Sequence, residues 1–235
     1  MLTQYRRLVG DAAGPMLEFL EAVVDEQVGR PSRAIARLEK LGDQLPESLR
    51  EKAEVMLGRC YAELGDEGRA LQAYRRASRL APASAMPRLA SARLLIGRRP
   101  DEAIAELGRG LAATPDNPDL LAAMAGAHLW KQAELPASRR SWAAFDQALK
   151  RAREATPGAS SLVLMQADRL ANDGHPEDAL ALLEKSAPRA RSVAWTAWAE
   201  GRPSPAGPPG ACGPWSGPRP RAAGDGATLR TARAS

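Results

Sequence analysis

Two histidines, two cysteines and two pairs of adjacent carboxylates are the residues whose chemistry could go beyond packing: His128 and His175, Cys60 and Cys212, Asp101-Glu102 and Glu177-Asp178. Paired carboxylates can divide acid and base work, and a histidine can move a proton near neutral pH or hold a metal. The surroundings argue against both uses. Each carboxylate pair follows a turn and a proline, Pro100 or Pro176, and opens a helical stretch, where the helix dipole favours negative charge by about 0.3 to 1 kcal/mol. His128 falls inside a helical stretch from Leu120 to Lys131 and is expected to pack between neighbouring elements. His175 sits in a turn after Asn172-Asp173-Gly174, and Asp173 with His175 is too sparse a ligand set for a metal.

Neither cysteine has a second cysteine or a histidine at metal-ligand spacing, so a disulfide framework and a zinc site are both unexpected. The sequence holds no phosphate loop of the form Gly-x-x-x-x-Gly-Lys-Ser/Thr, no Gly-x-Ser-x-Gly nucleophile turn, no His-Glu-x-x-His and no Cys-x-x-Cys. Gly108 and Gly110 lie within a helical pattern with no strand before them, which removes the dinucleotide fingerprint as well. The expectation is a protein with no catalytic residue, no metal and no cofactor.

The elements that carry these residues are helices. Of the 235 residues, 44% are hydrophobic but only 4% aromatic, and Ala, Leu, Arg and Glu prevail over the β-branched and aromatic residues that strands favour. The net charge is +5, of which residues 201–235 contribute five arginines and one acid, Asp225. That leaves 28 basic and 27 acidic residues before them, so the body is electrically balanced and a nucleic-acid partner is not expected. No apolar stretch reaches the roughly 18 residues that a membrane span needs. With no leader pattern near Met1 either, a cytoplasmic location is the expectation.

A repeat is visible from Glu51 onward. Ala53, Leu57, Gly58, Tyr61 and Leu64 share one helical face; Gly65-Asp66 breaks the helix; Ala70, Leu71, Tyr74, Ala77 and Leu80 share the face of a second, and Pro82 ends it. Gly58 and Ala70 lack bulk, so two antiparallel helices can approach there while Leu57, Tyr61 and Tyr74 fill the space beside them. One period on, Ala92, Leu95, Ala103, Ile104, Leu107 and Pro115 repeat the pattern after a one-residue slip between Gly97 and Pro100. Ala125-Gly126 and Trp130 start a further copy, interrupted between Ala133 and Ser141 before Phe145, Leu149, Ala152 and Pro157. Leu164, Ala167, Leu170, Gly174, Ala179 and Leu183 form another, and Ala22, Gly29, Ala34, Ile35, Leu38 and Pro46 an earlier, weaker one.

Leu57, Gly58, Tyr61, Gly65, Ala70, Tyr74, Ala77 and Pro82 resemble the tetratricopeptide repeat, with Glu54 in place of its early Trp. The resemblance implies an all-α, right-handed superhelical solenoid of about five antiparallel helix pairs over residues 15–188, preceded by an N-terminal segment, 1–14. A helical bundle without repeats is the competing architecture. Val193, Trp195 and Trp198 suggest a capping helix over 189–200. Residues 201–235, with seven Gly and seven Pro, read as a disordered tail.

In this family the first helix of each pair lines a concave groove that holds a peptide or a helix of a partner protein. Transferred to this sequence, the groove positions are Lys52, Val55, Arg59 and Glu63, then Leu89 and Arg93, then Ala123, Ala127 and Trp130, then Leu164 and Asp168. Some members grip a C-terminal carboxylate with Lys and Asn side chains; the corresponding places here hold Val55, Arg59, Ala90, Leu120 and Met124, so that ligand is not expected. The function implied is a protein interaction scaffold or adaptor. Two alternatives stand beside it. One is the helical arm of a larger enzyme or sensor, suggested by the composition change after Pro188. The other is RNA binding through Arg75-Arg76, Arg98-Arg99 and Arg139-Arg140, although these doublets read better as solvated surface. Trp142, beside the last doublet, reads as core more readily than as contact.

Overall fold

The structure, a computed structural model, describes residues 14–186, and all ten α-helices found there follow one another as neighbours in space. Five pairs result: α1 (Gly14–Gln27) with α2 (Pro31–Leu41), α3 (Glu47–Glu63) with α4 (Glu67–Leu80), α5 (Met86–Leu95) with α6 (Pro100–Ala113), α7 (Pro118–Ala133) with α8 (Ala143–Ala155), and α9 (Ser160–Asn172) with α10 (Pro176–Ser186). Two short 3-10 turns, Gly42–Gln44 and Ala137–Arg139, lie in the connections, and no strand occurs among the described residues. Each first helix also touches the first helix of the next pair, and α2, α4 and α6 each lie against the first helix that follows. This stacking is a helical solenoid, not a bundle around one shared core. The expected capping helix over 189–200 and the expected disordered tail over 201–235 lie outside the described residues.

Local signals place the helix ends. Pro31, Pro100, Pro118 and Pro176 open helices at the position where the missing N–H costs nothing. Asp66 accepts a hydrogen bond from the Arg69 N–H and Asn117 one from the Leu120 N–H, each at 3.0 Å, capping α4 and α7. The turns inside the first, second and fifth pairs each contain a glycine at positive φ, namely Gly29 at 71°, Gly65 at 78° and Gly174 at 89°.

The close approach expected at Gly58 is present. A Cβ placed there would lie 2.4 Å from Tyr74 Cε1, so α3 and α4 touch through a gap that only glycine leaves. Ala70, Ala73 and Ala77 on α4 are fully buried around it. In the first pair Asp25 stands where α3 has Tyr61, and Arg37 of α2 offsets its burial with a 2.9 Å bond, while also pairing with Glu18 and Glu21 at 2.8 and 2.6 Å. The core itself is a chain of overlapping clusters: one joins α1 to α4, a second joins α4 to α7, and a third joins α7 to α9.

The fourth pair departs from the others. Residues 134–142 join α7 to α8, and Arg140 in this link is wedged against the ends of two helices. Its guanidinium donates to the Leu135 carbonyl at 2.9 Å and the Ala133 carbonyl at 3.4 Å at the end of α7, and to the Asn172 carbonyl at the end of α9. Trp142 is 8% exposed, packs edge-on to Phe145, and donates from Nε1 to Asp173 Oδ1 at 2.9 Å. Arg169 lies over its ring, 5.6 Å from the centroid. Both residues of this link serve the fold.

Candidate functional site

Successive first helices, α3, α5, α7 and α9, touch one another to form one wall of the stack, and each groove position expected from the sequence lies on one of these helices. Lys52, Arg59 and Glu63 on α3 and Arg93 on α5 are exposed; Val55, Leu89, Ala123, Trp130, Leu164 and Asp168 are half-buried. Ala127 is a correction. It has no exposed surface and packs in the cluster that holds Leu95, Leu107 and Leu120, because its place on α7 turns toward the preceding pair. It supports the wall from behind and cannot touch a partner. Leu120, a position of the carboxylate clamp, is buried in the same cluster.

The centre of the wall is basic. Arg59 pairs with Glu26 of α1, a residue the sequence reading did not single out. Arg93 has no ion pair among the described residues. Burial pushes the pKa of the Tyr74 phenol up to about 12, while the charges of Arg59 and Arg93 pull in the other direction. Cations on two adjacent first helices thus both act through their charge on one buried phenol. Cys60 beside them is a free thiol, raised to about 11 by burial and then by Glu26 and Glu63, so it stays protonated and unreactive at neutral pH.

At the far side, Lys131 Nζ pairs with Asp101 at 2.5 Å, which links α7 back to α6 and leaves Trp130 beside a neutralised charge. His128, one turn earlier on α7, is half-buried; burial and then Lys131 hold its pKa below the usual histidine value, with Asp101 opposing. His175 is exposed, 3.8 Å from Asp178 in the same first turn. Asp101 and Glu102, like Glu177 and Asp178, occupy the first turns of α6 and α10. No group of three His, Cys, Asp or Glu side chains is placed to hold a metal ion among the described residues, and no described helix is long and apolar enough to cross a membrane.

The arginine doublets are more than solvated surface. Arg75 and Arg88 reach Glu106 of α6 at 3.2 and 3.4 Å, with Arg109 at 2.9 Å, and that carboxylate is only 5% exposed. Arg76 pairs with Glu54 at 2.8 Å, and both Arg98 and Arg99 reach back to Glu67. These guanidinium groups are committed to neighbouring helices, which removes most of the charge that an RNA backbone would need.

Neither a family model nor a curated protein matches the sequence, but solved structures match the fold. MamA from Desulfovibrio magneticus RS-1, residues 41 to the end, superimposes with a TM-score of 0.56 at 17% identity, over 73% of this chain and 92% of that one. Another MamA crystal structure gives 0.56 at 14% identity over 74% and 91%. YrrB, described as a TPR protein with an unusual peptide-binding site, gives 0.53 at 16% identity over 79% and 90%. Such low identities carry the fold alone: this chain folds as a tetratricopeptide-type solenoid. The class that the fold defines is that of helical-repeat solenoids.

Proposed function

We propose that the chain is a protein interaction scaffold that does no chemistry of its own and holds a segment of a partner protein against the wall of first helices. The observation that carries this reading is the composition of the wall. Exposed Lys52, Arg59, Glu63 and Arg93 alternate with half-buried Val55, Leu89, Ala123, Trp130 and Leu164, so one continuous surface offers apolar contact with charged groups to set register. Arg93, without an ion pair among the described residues, favours a partner segment with an acidic residue opposite α5. The peptide site named for YrrB supports a peptide-binding role for a solenoid of this kind. Asp168 lies at the far end of the same wall.

The experiment is capture of partners on the full chain, compared with Arg93→Glu and Arg59→Ala variants. Arg93 is exposed and carries no ion pair among the described residues, so Arg93→Glu should keep its melting temperature, whereas Arg59→Ala strands the largely buried Glu26 carboxylate and should lower it. A partner held on the wall is lost or weakened by Arg93→Glu. Capture that ignores this charge reversal, by a variant that melts normally, refutes the wall as the binding surface.

A further inference from the structure

Most ion pairs of this solenoid leave no positive charge over. Arg59 pairs with Glu26, Arg76 with Glu54 and Lys131 with Asp101, while Arg98 and Arg99 share Glu67 and Glu102. Arg37 faces three carboxylates, Glu18, Glu21 and Asp25. Glu106 on α6 is the reverse case. Arg75 of α4, Arg88 of α5 and Arg109 of α6 all converge on this one carboxylate, so the group carries a surplus of two positive charges, 3 − 1.

Hydrogen-bond donors are in surplus as well as charge. Glu106 Oε1 accepts from Arg75 Nε at 3.2 Å and lies 2.9 Å from Arg109 Nη1, while Oε2 accepts from Arg88 Nη1 at 3.4 Å. A guanidinium has about five N–H donors and a carboxylate about four acceptor sites, so one carboxylate cannot satisfy three arginines. Arg88 is the least satisfied: its side chain is 16% exposed, and its Nε is buried with no hydrogen-bond partner among the described residues. The stem of Arg88 is held where it passes Gly110 of α6, since a Cβ on that glycine would lie 3.0 Å from Arg88 Cδ. Arg75 and Arg109 are 48 and 61% exposed, so their remaining donors meet solvent. One turn further along the three helices stand Arg79, Ala92 and Ala113, none of which adds a carboxylate. Arg79 is itself exposed and has no ion pair among the described residues.

We propose that Arg75, Arg88 and Arg109 form a binding site for a phosphate monoester at the junction of the second and third pairs. Such a group carries a charge of about −1.5 to −2 near pH 7 and three acceptor oxygens, which answers both surpluses. Arginine suits it, because the planar guanidinium donates two parallel N–H bonds to a phosphate. Arg76, Arg98 and Arg99 nearby are already paired, so no track of free charge leads away from the site as a nucleic-acid backbone needs. The ligand is therefore one discrete phosphate, carried by a phosphorylated side chain of a partner or by a small molecule. The proposal does not rest on the wall of first helices.

Titration of the full chain with N-acetyl-phosphoserine amide and with inorganic phosphate, followed by phosphorus NMR, tests it. Saturable binding is expected, weakened about tenfold by Arg109→Gln and separately by Arg75→Gln. Both residues are partly exposed and each variant leaves two arginines on Glu106, so the melting curves should resemble that of the parent. Arg98→Gln, which removes a charge tied to Glu67 instead, should change binding by less than about twofold. Tighter binding of the phosphoserine probe assigns the site to a phosphorylated partner, and tighter binding of inorganic phosphate assigns it to a small ligand; either order supports the site. Absence of saturation overturns the proposal, as does binding that survives both variants or that Arg98→Gln weakens equally. An oligouridylate that displaces phosphoserine at lower concentration than inorganic phosphate does makes the surface one for nucleic acid and overturns it as well.

Discussion

The junction between the second and third pairs and the junction between the fourth and fifth do the same work by different means. At the first, α4 lies along α5, Leu71 and Leu95 meet in one cluster, and the buried Glu106 gathers Arg75, Arg88 and Arg109. At the second, α8 makes only slight contact with α9, and the link residues Arg140 and Trp142 make the connection through helix-end carbonyls and Asp173. Repeated small side chains allow helices to lie flat on one another; where an insertion displaces the second helix, polar side chains bridge the gap instead. The residues that do so, Arg and Trp, are the types usually enriched at binding hot spots. Residue type alone therefore did not separate a staple from a contact.

Three successive junctions share one numerical habit. Arg75 and Glu106 are 31 residues apart, Arg99 and Glu67 32, Lys131 and Asp101 30, Arg140 and Asn172 32, Trp142 and Asp173 31. One repeat, less a turn or so of helix, separates the partners in every case. The irregular link keeps the spacing of the regular repeats even though its side chains are different.

The comparison can be broken by substitution. The largest effect is expected at Trp142→Ala, which empties a buried site beside Phe145 and removes the bond to Asp173, at about 3 to 5 kcal/mol. If the last junction is a separate staple, this loss appears in hydrogen exchange as early opening of α9 and α10 while α3 to α6 stay protected. Simultaneous opening of all the helices would show that the two junctions are one cooperative unit. Next is Gly58→Leu, where the side chain meets Tyr74, costing about 3 kcal/mol; thermal melting should fall with α3 and α4 opening first. An unchanged melting temperature there would contradict the packing of the regular repeats. Glu106→Gln is expected to cost less, about 2 kcal/mol, because Arg88 is left largely buried without its counter-charge while Arg75 and Arg109 are exposed enough for water to compensate. Urea titration gives that number. A loss as large as that of Trp142→Ala would make electrostatics, not apolar packing, the main tie at the regular junction.

Small residues at a fixed interval, glycine turns and prolines at helix starts are local properties, and a chain that carries them can pack in few other ways. The five pairs, the close approach at Gly58 and the turns at Gly29, Gly65 and Gly174 were therefore readable from residue order. The wall was readable only by periodicity, which puts Lys52, Arg59 and Arg93 on one face but cannot tell how far each helix is rotated. Ala127 shows the limit, since a small change of rotation moves an alanine from surface to core.

Sequence by itself determined that this protein is a run of helix pairs whose surfaces fit one another in order, because short-range spacing decides which face of a helix is apolar. Tertiary structure alone decided which charges are already taken: Arg59 by Glu26, Arg75 by Glu106, Arg140 by the ends of two helices. Those pairings depend on the separation of side chains between neighbouring pairs, and only stacking of the whole solenoid sets that distance.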